Sequence, residues 1–169
     1  MRKKIITILL MTTFIPAMLI AQSPDDPEIQ KAKRETAVVF DLGRLFGYLA
    51  KMEENQKELA LSNEQLEKIY TVMEEIYTTE RLEPKQAEKL LTYLEDNVLS
   101  PEQLMYTDQL AIEKEKERET RTPGSGGGGG QITSYIAGGP FNPMRDPNKN
   151  IGKDFLEFYK YVAKRIGKE

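Results

Sequence analysis

The chain has 169 residues, of which 24 are basic and 27 acidic, and it contains no cysteine, histidine or tryptophan. These absences exclude disulfides and a lipid-modified N-terminal cysteine, and they remove most metal sites and most nucleophile–base pairs. The net charge of −3 offers no basic surface for nucleic acid or an anionic membrane. We therefore expect a protein that is not an enzyme and carries no cofactor.

Residues 1–21 have the pattern of a secretory signal peptide. Arg2, Lys3 and Lys4 precede an apolar run over residues 5–21. Cleavage after Ala21 would leave 21 basic and 27 acidic residues, a net charge of −6. The alternative is an uncleaved anchor, but seventeen residues that include Pro16 are at the short limit for crossing ~30 Å of hydrocarbon. We expect an exported protein, periplasmic or secreted.

Residues 22–121 are predicted to form a helical domain of about four helices. The first helix is expected from Ile29, with an apolar stripe at three- and four-residue steps. The stripe comprises Val38, Leu42, Leu45, Phe46, Leu49 and Met52. Later helices are expected over residues 63–79, over residues 84–97, and from Pro101 into a charged, solvated end at residues 113–121.

Two of these helices begin with nearly the same phrase, LSNEQ at 61–65 and LSPEQ at 99–103. The hydroxyls of Ser62 and Ser100 can accept from the backbone N–H three residues on, and the Gln65 and Gln103 side chains can reach back to the serine N–H groups. Each arrangement is a capping box. The preceding leucines, Leu61 and Leu99, are spaced to pack on the following turn. The phrase therefore predicts helix starts.

Residues 122–150 are predicted to be a flexible linker rich in glycine and proline, and residues 151–169 a short amphipathic helix. Five consecutive glycines at 126–130 favour a tether, because a phosphate-binding loop would need a flanking strand, helix and Lys-Ser/Thr ending. Residues 131–139 are the one strand candidate. The predicted fold class is all-α.

The C-terminal helix carries the candidate partner-binding residues. They are Phe155, Phe158, Tyr159, Val162 and Ile166, which share one helix face. This face could dock on the protein's own bundle, or the tether could present it to a partner groove or a membrane surface. The pattern alone leaves both interpretations open.

The L-[S/T]-x-x-Q phrase at 61–65 and 99–103 resembles the LTxxQ signature of periplasmic stress proteins of the Spy and CpxP type. The resemblance implies a small exported all-α protein that forms a homodimer, with a helical cradle that holds unfolding polypeptides without ATP. Several features depart from that family: serine replaces the typical threonine, the chain is acidic, and the glycine run and C-terminal helix have no counterpart.

Two functional hypotheses follow. In the first, the chain is a chaperone-like or envelope-stress protein that binds other polypeptides through an apolar helix face. In the second, it is an envelope adaptor or assembly protein whose tethered C-terminal helix docks on one dedicated partner. A broad exposed apolar surface on the bundle would favour the first hypothesis, and a sealed bundle with an exposed C-terminal helix the second.

Overall fold

The structure is a computed structural model that describes residues 26–119 and 129–168. The predicted signal peptide at 1–21 and most of the glycine run lie outside the described residues. Within the described ranges, no helix combines the length and apolar character needed to cross a membrane.

Most of the described chain is helical, so the all-α prediction is confirmed. The helices are α1 (Pro27–Glu35), α2 (Ala37–Asn55), α3 (Asn63–Thr78), α4 (Pro84–Asn97), α5 (Pro101–Glu119), α6 (Gly129–Ile136) and α7 (Asn150–Arg165). Two short 3₁₀ turns cover Lys57–Leu59 and Pro143–Arg145. Instead of a strand at 131–139, the described residues contain only one isolated bridge, between Arg81 and Phe141.

The N-terminal helical pattern is divided into two helices at Thr36. The Thr36 side chain is fully buried, and its hydroxyl donates back to the Ala32 carbonyl at 2.7 Å. Such a bond to the preceding turn competes with the regular backbone ladder and bends helices. The helix is therefore interrupted at Thr36, and α1 passes into α2 without a loop.

Helix α2 lies at the centre of the fold and contacts α4, α5 and α7. Its predicted apolar stripe is buried as expected, apart from the half-buried Val38 at the α2 start. The bounds of α3, α4 and α5 also agree with the capping pattern. The α3 end lies one residue earlier than predicted, at Thr78.

The region predicted as a linker, residues 122–150, is ordered in its described part. Residues 129–136 form α6, and the side chains of Phe141 and Met144 are buried in the main core. The Asn142 amide donates to the Ile76 and Thr79 carbonyls, each at 2.8 Å, and so satisfies the end of α3. The linker prediction is therefore wrong for 129–150, because these residues fill the core and cap a helix.

Helices α1 and α6 pack against each other at one side of the fold and form a small second cluster around Ile29, Ala32 and Ile132. Tyr135 joins this cluster to the main core, since its ring lies 5.0 Å from that of Phe141. The Arg81 guanidinium lies over the Tyr135 ring and donates to the Gly139 carbonyl. These contacts hold α6 against the connection between α3 and α4.

Candidate functional site

Both predicted capping boxes are present. In the first, Gln65 N–H donates to the Ser62 hydroxyl at 3.2 Å and Ser62 N–H donates to the Gln65 side-chain oxygen at 2.9 Å. In the second, the corresponding bonds between Gln103 and Ser100 are 3.3 and 2.9 Å. Leu61 and Leu99 are buried beside them. The repeated phrase thus starts α3 and α5 in the same way.

The fold also brings the two glutamines into contact, which the capping pattern did not predict. Gln65 Nε2 donates to Gln103 Oε1 at 2.7 Å and to the Val98 carbonyl at 2.7 Å. Gln103 Nε2 donates to the Leu59 carbonyl at 3.0 Å. Each side chain therefore caps its own helix and also holds the segment that leads into the other helix. We call this arrangement the glutamine junction.

The candidate partner-binding face of the C-terminal helix lies mainly inside the protein. Phe155, Phe158 and Val162 are buried in the main core, while Tyr159 and Ile166 are half-buried at its edge. This face packs against α2 and α3 and not against a partner, because an apolar face this large is more stable against the bundle than in water. Three of the five residues are therefore not available to a partner in this structure.

Glu53 fixes the outer side of α7. Its carboxylate accepts from the Tyr161 hydroxyl at 2.5 Å and from the Arg165 guanidinium at 3.2 Å, and it also accepts from Leu61 N–H. The Glu53 side chain is almost completely buried. A buried carboxylate with three donors rigidifies the elements it joins, here α2, α7 and the start of α3.

A stack of three tyrosines covers the contact between α3 and α7. The Tyr159 ring lies between those of Tyr70 and Tyr77, with centroids 5.4 Å away on both sides and interplanar angles of 13° and 15°. The Tyr70 and Tyr159 hydroxyls both donate to the Glu74 carboxylate. Lys168 Nζ lies 4.4 Å from the Tyr70 ring centroid. We call these five residues the tyrosine surface.

The tyrosine surface is partly open to solvent. Tyr77 is 43% exposed, and Tyr70 and Tyr159 are half-buried. Desolvation by burial, followed by the Glu74 hydrogen bond, raises the pKa of Tyr70. The stack therefore presents flat apolar rings together with a carboxylate and an ammonium group.

A cleft of about 740 Å³ separates α2 from the second half of α5. Its lining includes four basic residues and four acidic ones, among them the ion pairs Arg44–Asp41 and Arg118–Glu115. Burial raises the pKa of Tyr48 in its wall. Because the charges balance and pair within the wall, the cleft selects no class of charged ligand.

No group of three or more acidic side chains in residues 26–119 and 129–168 is arranged to hold a metal ion. Comparison with protein-family models, curated proteins and solved structures finds no match for this chain. A relationship to the LTxxQ proteins, which residues 61–65 and 99–103 suggest, therefore stays a prediction.

Proposed function

We propose that the chain is an exported, non-enzymatic helical protein that binds other polypeptides through the tyrosine surface. The stacked, partly exposed rings of Tyr70, Tyr77 and Tyr159 carry this proposal. The chaperone-like role belongs to the same proposal and is supported by the LTxxQ-like phrase.

The composition of the surface suits a polypeptide ligand. Tyrosine is enriched in protein interfaces because it offers a large rigid ring and a polar hydroxyl, and it loses little conformational entropy on binding. Glu74 and Lys168 add one group of each charge, so the surface can accept backbone amides and side chains of either sign. Such a surface favours binding of many different polypeptides over recognition of one sequence.

The alternative function, an adaptor that offers a tethered C-terminal helix, has less support. It requires Phe155, Phe158 and Val162 to leave the core, which would expose three large apolar side chains and leave a cavity beside α2. In the folded chain, α7 contributes to a partner surface only through Tyr159 and the exposed residues around it.

The test is suppression of client aggregation by the purified full chain. A reduced, unrelated protein that contains tryptophan serves as client, because the chain has neither a disulfide that the reductant could break nor tryptophan to obscure the client's emission. Tyr77→Ala should weaken client binding about ten-fold, as expected for loss of an interface aromatic. Tyr93→Ala is the matched control, since Tyr93 has similar exposure, 39%, but lies on α4.

Equal weakening by Tyr77→Ala and Tyr93→Ala would contradict the assignment of the tyrosine surface. Failure of the wild-type chain to bind any unfolded client would overturn the chaperone-like role itself. Export is tested separately by N-terminal mass spectrometry of the protein recovered outside the cytoplasm, where we expect a chain that begins at Gln22.

A further inference from the structure

One face of α5 carries an exposed stripe that the fold leaves uncovered, and Ile112 within it also borders the cleft between α2 and α5. The stripe consists of Glu102, Met105, Gln109, Ile112 and Lys116, all exposed. Met105 is 69% exposed and Ile112 56%, the two most exposed large apolar side chains in the described part of the chain. On the opposite side of α5, Gln103 and Thr107 are buried against the bundle. We call this set the α5 stripe.

The spacing of the α5 stripe is that of a coiled-coil seam. Its members follow each other at alternating steps of three and four residues, the a and d positions of a heptad. The buried Thr107 then occupies position f, on the far side of the helix from the seam. A partner helix could therefore pack along α5 without disturbing its contacts in the bundle.

The α5 stripe is complementary to the stripe of a second copy that runs in the opposite direction. When two copies of α5 run antiparallel, Glu102 faces Lys116 of the second copy, and Met105 faces Ile112. Gln109 meets its own copy on the two-fold axis. Both ends then join opposite charges and both inner layers join apolar groups, as an isologous interface requires. A parallel arrangement would instead place Glu102 on Glu102 and Lys116 on Lys116.

From this self-complementarity we propose that α5 is a docking surface for a second copy of this chain, in antiparallel orientation. The proposal does not depend on the tyrosine surface, which lies on α3 and α7. Gln109 at the axis favours one register, as a single polar residue in a seam does, and it lowers affinity. Asp108 of the two copies approach each other beside the axis, so the dimer should form reversibly and at high concentration.

Reversal of the charges at the stripe ends tests the proposal by sedimentation of the full chain over a wide concentration range. Glu102→Lys alone and Lys116→Glu alone each put like charges at both ends of the dimer. Each should weaken association about ten-fold, since two ion pairs turn repulsive. An equimolar mixture of the two variants should associate at least as tightly as the wild type, because opposite charges then meet at both ends.

The control mixture is Glu88→Lys with Lys89→Glu. These exposed residues of α4 reproduce the same net charges away from the stripe. Each control variant, alone or in the mixture, should associate like the wild type, because its α5 stripe is intact. Weakening of association by Glu88→Lys alone or Lys89→Glu alone to the extent seen for the stripe variants would reduce the effect to overall charge and overturn the proposal. A wild-type chain that stays monomeric throughout would also overturn it, even if the stripe proved to bind a different protein.

Orientation is tested with single cysteines, since the chain has none of its own. Gln109→Cys should form a disulfide-linked dimer under mild oxidation, because residue 109 meets its own copy. Glu102→Cys should crosslink at least ten-fold more slowly, since the antiparallel arrangement separates the two copies of residue 102 by the length of the seam. Faster crosslinking of Glu102→Cys would contradict the antiparallel arrangement. Met105→Lys, at an exposed position that the fold does not need, should abolish both association and crosslinking at residue 109.

Discussion

Two glutamine side chains each satisfy groups from separate parts of the chain in the glutamine junction. The oxygen of Gln103 caps α5 through Ser100 N–H, while its nitrogen reaches the Leu59 carbonyl in the segment before α3. An unsatisfied partly buried carbonyl is costlier than an ordinary lost hydrogen bond. The amide is suited to this position because it carries a donor and an acceptor on one side chain.

Gln103→Ala should therefore lower the free energy of unfolding by about 2 kcal/mol, which combines a lost helix cap with an orphaned carbonyl. Urea denaturation at low protein concentration measures the change. Gln103→Glu should recover little of the loss, because a carboxylate keeps the capping oxygen but has no proton for Leu59. Gln109→Ala on the exposed face of α5 is the control and should change stability by no more than about 0.5 kcal/mol.

Glu95 makes the stability of the fold depend on pH. Although Glu95 lies on the exposed side of α4, partial desolvation raises the pKa of its carboxyl, and the nearby carboxylates of Asp108, Asp96 and Asp41 raise it further. The folded chain therefore holds this proton to a higher pH than the unfolded chain does. Ionisation of Glu95 consequently destabilises the fold as the pH rises through the raised pKa. Below the ordinary carboxyl pKa, Glu95 is protonated in both the folded and the unfolded chain, and this destabilisation is absent.

Glu95→Gln should raise the melting temperature near neutral pH, with a gain that shrinks as the pH falls towards about 4. Thermal unfolding at a series of pH values, followed by circular dichroism, measures it. Glu88→Gln on the same helix removes an equal charge away from the three aspartates. If the melting temperatures of the two variants rise equally at every pH, the surroundings of Glu95 do not cause the effect and the explanation is wrong.

At the residue scale, local chemistry made the helix starts predictable, while the glutamine junction was not. The capping bonds join residues three apart, so the spacing of Ser62 and Gln65 in the sequence predicts them. The contact between Gln65 and Gln103 spans 38 residues and depends on how α3 and α5 pack. The Tyr70–Tyr159 stack is missed for the same reason, since 89 residues separate its members.

At the scale of elements, α7 begins against the loop that precedes it. A Cβ atom on Gly152 would lie 2.0 Å from the Asp146 carbonyl oxygen and 3.0 Å from that of Pro143. Both neighbours are backbone atoms, which cannot rotate away as a side chain would. The close approach fixes where α7 starts and how it enters the core.

Gly152→Ala should lower the free energy of unfolding by about 1–3 kcal/mol, because the added methyl group forces the helix and loop apart. Gly130→Ala provides the contrast. Its Cβ would meet no heavy atom within 4 Å, and alanine favours helix, so this change should be neutral or stabilise by up to about 1 kcal/mol. Similar effects of the two substitutions in urea denaturation would contradict the packing explanation.

The segment at 129–150 shows why element prediction failed there. Its many glycines and prolines have low helix and strand propensity, which is typical of a linker. Tertiary contacts outweigh that preference, since Phe141 and Met144 fill the core and Arg81 holds the α6 end. The available signal was two large apolar residues, Phe141 and Met144, in the otherwise polar stretch 138–150.

On the scale of the whole molecule, the C-terminal quarter of the chain completes the core that the first helices begin. The Phe155 ring packs edge-on against Phe46 of α2 at 5.3 Å, and the α7 side chains lie between α2 and α3. Residues 26–119 thus share one hydrophobic core with α7 in this structure. Without the part that begins at Gly129, they would expose the apolar stripes of α2 and α3 to water.

Two fragments, 22–121 and 129–169, should therefore each lack a cooperative unfolding transition when measured separately. Mixed in equal amounts, they should associate and recover one, because the burial of Phe141, Phe155 and Val162 offers enough apolar contact to offset the cost of association. Urea titration followed by circular dichroism measures both states. Phe155→Ala in the shorter fragment is the control and should prevent recovery, since it removes a ring at the centre of the contact. A cooperative transition of fragment 22–121 alone, at the denaturant midpoint of the intact chain, would show instead that the bundle is complete without α7. Helix α7 would then again be a candidate for partner binding.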